Sequence, residues 1–142
     1  MRNYLTIDVE DYYQVSAFEP VVDAGKWDQY PSRVVKNTRR ILEILERHDV
    51  TATFFILGWT GERNPDLVKE IMKKGHLIGC HSYEHRLIYT LSPKEFKQDT
   101  RRAKDILEQI TGNRVLGYRA PSYSITRKSL WAFDILEELG FA

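Results

Sequence analysis

His81-Ser82-Tyr83-Glu84-His85 sets two histidines four residues apart, directly after the apolar run Leu77-Ile78-Gly79-Cys80. Imidazoles at i and i+4 face one way if the turn after that run is helical, and two such rings can close on one metal ion. Spacing alone is a weak signal, since surface and core histidines share it; two further clusters add weight. One is the acidic run Asp8-Val9-Glu10-Asp11 at the end of the first β-forming stretch, and the other is Arg119-Ala120-Pro121-Ser122-Tyr123 at the end of a later one. Asp8 and Glu10 lie two apart and point to one side of an extended chain. Each cluster also has a structural reading. The acids could be a strand end with a capping turn, and the arginine an ion pair at a proline-stiffened turn. Cys80 reads as a small buried hydrophobe rather than a third soft ligand. Glu84 does not complete a metalloprotease motif, which needs glutamate immediately after the first histidine, where Ser82 stands.

The rest of the chain reads as the scaffold that brings these clusters together. Tyr4 to Val9 is β-branched and aromatic, a first buried strand entered at once after Met1-Arg2-Asn3. Tyr12 to Pro31 shows no period but concentrates Tyr12, Tyr13, Phe18, Trp27 and Tyr30, rings that either pack over the mouth of the fold or wall a groove for sugars. Ser32 is expected to cap a helix with Val34, Val35, Thr38, Ile41, Leu42 and Leu45 on one stripe. Thr51 to Gly58 is nearly continuous in β formers, which predicts a strand buried on both faces. Pro65 opens a short helix closed by Gly75. Ser92-Pro93-Lys94-Glu95 is a capping box for a longer one that ends at Gly112. Val115 to Tyr118 is a fourth strand, Thr126 caps a last helix, and Phe141-Ala142 begins a fifth strand. Strand and helix alternating four times predict parallel strands with right-handed crossovers. In such folds the loops after the strands gather at one end, where the acidic run, the histidine pair and Arg119 all fall.

The 142 residues are 42% hydrophobic and 29% charged, which fits one folded domain over 1–142. With 21 basic and 20 acidic residues the net charge is +1, so no field points to nucleic acid or an anionic membrane as partner. One cysteine excludes an internal disulfide and fits a reducing compartment. No leader pattern is present and no apolar run approaches the about eighteen residues of a membrane span, so the expected location is cytoplasmic.

The acidic motif after strand one, His-Ser-x-x-His after strand three and Arg-x-Pro-x-Tyr after strand four, in register on this pattern, resemble the polysaccharide deacetylase (NodB-homology) domain of carbohydrate esterase family four. The run Asp8 to Val15 is similar to the branch associated with exopolysaccharide biosynthesis. The resemblance implies an α/β fold, the N-terminal part of a distorted (β/α) barrel of seven or eight parallel strands. It implies a divalent metal held by one carboxylate and two histidines, and hydrolytic removal of acetyl groups from the N-acetylated sugars of an oligo- or polysaccharide. Residue by residue, Asp8 takes the position of the catalytic base, paired with Arg119. His81 and His85 take the metal positions, and Tyr123 turns its backbone N–H towards the oxyanion. The commonest family pattern has two adjacent aspartates. Here Val9 follows Asp8, which makes Glu10, on the same face, the expected carboxylate ligand and Asp11 the alternative. Such a donor set suits zinc first, with cobalt, nickel or iron also accepted. The family's later motifs, including a histidine general acid, have no counterpart in these residues. The chain therefore resembles the N-terminal half of the domain, truncated at its C-terminus, folded in part or assembled between copies as a homo-oligomer. Two other readings keep the fold: hydrolysis of another C–N bond, in a ureide or small amide, and metal or glycan binding without turnover.

Overall fold

Short β-branched and aromatic runs form four strands, β1 Thr6–Val9, β2 Thr53–Ile56, β3 Leu77–Cys80 and β4 Gly117–Tyr118, in a computed structural model that describes residues 4–142. Met1 to Asn3, from which the sequence reading enters its first strand, lie outside the described residues. Helices α1 Val34–Arg47, α2 Gly58–Arg63, α3 Pro65–Lys73 and α4 Pro93–Thr111 fill the crossovers, and α5 Trp131–Glu138 follows β4. All strand pairs are parallel and the order is β1-β2-β3-β4. Consecutive order with no reversal is the winding of a (β/α) barrel wall; a doubly wound sheet turns back at its switch point. The expected fold class holds. Ala142 N–H donates to Leu116 O at 2.9 Å, laying the chain beyond α5 alongside the start of β4.

The register decides which side chains share a face. Thr6 and Asp8 align with Thr53 and Phe55, with Leu77 and Gly79, and with Gly117, while Ile7, Val9, Phe54, Ile56, Ile78, Cys80 and Tyr118 take the other face. That second face carries the core: Val9, Phe54, Ile56 and Cys80 are buried with Leu42 and Leu45 of α1, Leu67, Val68 and Ile71 of α3, and Ala103 and Leu107 of α4. Each large aliphatic or aromatic side chain so buried stabilises by about 1.5–3 kcal/mol.

β2 is thus covered on one face, not on both as its apolar run predicts. Thr53 and Phe55 are only half-buried, because helices pack on the side of Phe54 and Ile56. The Phe55 ring instead lies across Gly79, where an added Cβ would come within 2.5 Å of it, and reaches Gly117. The Arg119 guanidinium sits 4.3 Å over the centre of the same ring. Two glycines let an aromatic ring lie flat on the sheet, and that ring becomes the platform for an arginine at the strand ends.

The capping box at Ser92 forms, with Ser92 N–H donating to Glu95 Oε2 at 2.8 Å and Glu95 N–H to Ser92 Oγ at 3.3 Å. Gly112, at φ 69°, ends the helix. Thr126 does not cap α5: its Oγ1 accepts from Lys128 N–H at 3.4 Å in a turn that Ser129 N–H and Thr126 O close, and α5 starts at Trp131. β4 is also shorter than its sequence suggests.

The strand read through to Gly58 stops at Ile56, and Gly58 opens α2 instead. Helix N-termini leave their first N–H groups without intrahelical partners. Here Gly58 N–H donates to Ser82 O at 2.8 Å and Trp59 N–H to Tyr83 O at 3.1 Å, so α2 holds the segment that carries both histidines. A Cβ on Gly58 would stand 2.8 Å from Ala103 Cα and 2.7 Å from Tyr83 Cδ2. The α4 backbone cannot rotate away as a side chain can. Gly58→Ala is expected to cost about 2 kcal/mol through overpacking, read as a lower denaturant midpoint; an unchanged midpoint would refute the close packing of α2 on α4.

Candidate metal centre and active site

Val9, Ile56, Cys80 and Tyr118 form one row across the sheet. The next residues along the chain are Glu10, Leu57, His81 and Arg119, so strand register delivers the acid, the first histidine and the arginine to one level, on the face of Asp8.

His85 reaches that level by a route its spacing does not foretell. The turn after β3 is not helical: Ser82 (φ 64°) and His85 (φ 59°) are left-handed, a conformation costing non-glycine residues about 1–3 kcal/mol each. Anchors at several points hold it. His81 N–H donates to Ile56 O at 3.0 Å, Tyr83 N–H to Asp99 Oδ2 at 2.9 Å and Tyr83 O–H to Glu62 Oε2 at 2.6 Å, beside the two bonds from α2. Ser82 Oγ and Tyr118 Oη share a bond of 2.6 Å. The two imidazole centroids end 5.1 Å apart.

Glu10 Oε2 lies 3.1 Å from His85 Nε2 and 4.0 Å from His81 Nε2. Metal bonds of about 2.0–2.2 Å place neighbouring ligands of a tetrahedral ion about 3.4 Å apart, which these separations bracket. His81 Nδ1 is 2.8 Å from Arg119 O; a carbonyl only accepts, so Nδ1 carries the proton and Nε2 presents its lone pair. Burial lowers the His81 pKa, and burial with His81 alongside brings His85 down to about 4, so both rings are neutral near pH 7. Burial, and then Asp8 nearby, push the Glu10 carboxyl up to about 7. Despite its closeness to His85, Glu10 Oε2 has no hydrogen bond of acceptable geometry among the described residues, and it is buried. The Glu10 oxygen, the lone pair of His81 Nε2 and a ring nitrogen of His85 therefore converge within 4.8 Å of one another, with Glu10 Oε2 left without a partner among the described residues. One divalent cation would satisfy all three, and this donor set suits zinc and its neighbours.

Asp11, the alternative ligand, faces elsewhere. Its carboxylate accepts from Ser32 O–H at 2.6 Å, Arg33 N–H at 2.8 Å and Val34 N–H at 3.3 Å. The N-cap position of α1 is Arg33 rather than Ser32, and the capping oxygens come from Asp11, more than twenty residues earlier in the chain. A carboxylate at a helix N-terminus is doubly favoured, by the free N–H groups and by the helix dipole. Asp11→Ala is expected to lower stability by about 2 kcal/mol and leave zinc affinity unaltered, measured by denaturant melts and chelator competition on one sample. Loss of zinc with intact stability would reverse the roles of Asp11 and Glu10.

Asp8, Glu10, His81, His85, Arg119 and Tyr123 line one cleft of ≈ 200 Å³. Arg119 Nη1 donates to Asp8 Oδ1 at 2.7 Å and Nη2 to Thr6 Oγ1 at 2.6 Å, so its fork spans two residues of β1. The Tyr123 N–H, expected to face an oxyanion, donates to Ala120 O at 3.1 Å instead. The Pro121-led turn closes on it, with Ser122 (φ 47°) and Tyr123 (φ 53°) both left-handed. What Tyr123 offers the cleft is its side chain, 78% exposed at the rim.

Cys80 is fully buried on the core face, where burial pushes its thiol up to about 12. His76 lies at the opposite end of the sheet, its Nδ1 accepting from Ala52 N–H at 3.2 Å. Of the aromatic segment, Tyr13 and Trp27 are buried: Tyr13 stacks on Tyr30 at 5.4 Å and Trp27 meets Trp59 edge-on at 5.3 Å, so these rings pack rather than line the cleft. Sequence reading missed Ser16, whose Oγ is 3.2 Å from His85 Nδ1. A serine in an aperiodic segment carries no spacing signal.

Residues 22–142 match the family model for polysaccharide deacetylase. Over 98 residues, 68% of this chain and 36% of the relative, the chain is 35% identical to a peptidoglycan-N-acetylglucosamine deacetylase of Bacillus cereus. Among solved structures, a CE4 family pseudoenzyme from Bacillus anthracis superposes with a TM-score of 0.71 at 27% identity, over 98% of this chain and 41% of that one. The peptidoglycan deacetylase PdaC of Bacillus subtilis superposes with a TM-score of 0.69 at 25% identity, over 97% and 55%. The matched segments make up between 18% and 36% of the length of these curated relatives. No helix among the described residues is long and apolar enough to cross a membrane.

Proposed function

The chain belongs to the polysaccharide deacetylase family, and from that premise we propose that Glu10, His81 and His85 hold a divalent metal, zinc first, in a hydrolase that removes acetyl groups from N-acetylated sugars of a polysaccharide. The observation that carries the proposal is the buried, unpartnered Glu10 Oε2 facing two imidazole nitrogens beside the Asp8–Arg119 pair.

An acetamide is a poor electrophile and water at neutral pH a poor nucleophile; a metal in this site supplies the Lewis acidity that improves both. The chain's own residues supply the base and hold it in place. Asp8 takes a proton from the attacking water on Oδ2, because Oδ1 is occupied by Arg119. Arg119 fixes the orientation of that carboxylate, and through its carbonyl it fixes the His81 ring as well. The exposed Tyr123 ring at the rim offers a sugar an apolar face.

The name of the Bacillus cereus relative favours a peptidoglycan-type substrate, whereas the run Asp8 to Val15 favours an exopolysaccharide. Acetate release from purified peptidoglycan and from N-acetylated oligosaccharides, before and after chelation, tests the proposal. Release that stops on chelation and returns with zinc is the expected result; release indifferent to chelation overturns it. A second reading, binding without turnover, is favoured by the likeness to a CE4 family pseudoenzyme. Zinc bound at one equivalent with no acetate released from any of these glycans would select it.

A further inference from the structure

Metal-binding imidazoles are held by what their other nitrogen bonds to, and that partner sets both the tautomer and the ring orientation. His81 has such a partner in the carbonyl of Arg119. For His85 the side chain that meets the ring at Nδ1 is a serine. That Nδ1 lies 3.2 Å from Ser16 Oγ, and Ser16 Oγ lies 3.2 Å from Ser122 Oγ.

We infer that Ser16 is the positioning residue of His85, and that Ser122 holds Ser16 in place. The inference rests on the reading of Glu10, His81 and His85 as a metal centre. The bond directions follow from that reading. With Nε2 of His85 facing Glu10, the ring proton is on Nδ1 and donates to Ser16 Oγ. Ser16 then donates its own hydrogen to Ser122 Oγ. The chain of bonds joins three segments distant in sequence: the turn after β1, the turn after β3 and the turn after β4.

Backbone conformation supports a positioning role. His85 and Ser122 are both left-handed non-glycine residues, and such conformations persist only where surrounding bonds over-determine them. Ser16 is the side chain that bonds to both. It stands in a short 3-10 turn, Ser16–Phe18, whose three residues are all at least partly exposed, so its place there owes little to core packing.

Loss of an outer partner of a metal-binding histidine commonly weakens metal affinity about 10–100-fold. Ser16→Ala is therefore expected to weaken zinc binding by that factor, measured on the whole chain by competition with a chromogenic chelator. The melting temperature of the metal-free protein should stay unchanged. Ser16→Thr keeps the hydroxyl and should restore the affinity, and Ser122→Ala should give a smaller loss of the same sign. Cobalt supplies a second readout, because a reoriented His85 should alter the visible absorption of the cobalt-loaded Ser16→Ala protein. Unchanged zinc affinity in a folded Ser16→Ala protein overturns the inference alone. So does an equal loss in Ser16→Thr, which would show that shape rather than the hydroxyl matters. Absence of zinc binding by the unaltered chain overturns the metal centre itself, and this inference with it.

Discussion

Replacing His81 with alanine is expected to weaken zinc binding about 10²–10³-fold. Structural zinc sites with four ligands bind with about 10–16 kcal/mol, so one ligand in four is worth about 2.5–4 kcal/mol, and each 1.4 kcal/mol is a factor of ten. His81 is the sharpest test of the three proposed ligands because its ring is 2% exposed and its tautomer is fixed by Arg119 O, leaving Nε2 to face Glu10. The substitution also removes the donor to that carbonyl, so chelator competition has to be read beside a melt of the metal-free protein. Zinc retained at one equivalent with unchanged affinity would exclude the centre.

The site was legible in the sequence to the extent that strand register makes it. Glu10, His81 and Arg119 each stand one residue past the same row of the sheet, and an alternating strand and helix pattern is enough to put them there. The long helices were legible for a related reason: capping boxes, glycine stops and apolar stripes are local signals, and α4 shows all three. What was not legible depends on bonds between residues far apart in the chain. Asp11 caps α1 from beyond the aromatic segment, which displaced Ser32 from that role. α2 begins at Gly58, inside an apolar run that looks like strand, because α4 and Tyr83 press on a position with no room for a Cβ. The two histidines meet without a helical turn, through left-handed residues held by α2, Asp99 and Tyr118. Their spacing of four singled out two rings that do meet, 5.1 Å apart, though not by the helical turn it assumed.

Asp8→Asn separates the proposed base from the proposed metal site. Asparagine keeps the size of the side chain and an oxygen to accept from Arg119 Nη1, but it cannot take a proton from water. Positioned general bases contribute about 10²–10⁴-fold to rate, so acetate release from an N-acetylated glycan should fall by that factor. Zinc affinity should not change, because the atoms that converge for metal binding belong to Glu10, His81 and His85, and Asp8 Oδ1 is already bonded to Arg119. The pair of measurements decides between roles that share one cleft. A loss of zinc comparable to that in His81→Ala would make Asp8 a ligand, and the base would have to be sought elsewhere. Unchanged acetate release with unchanged zinc affinity would leave the Asp8–Arg119 pair a structural clamp between β1 and the end of β4. The stacking of Arg119 on Phe55 and its bond to Thr6 would allow that role without any chemistry.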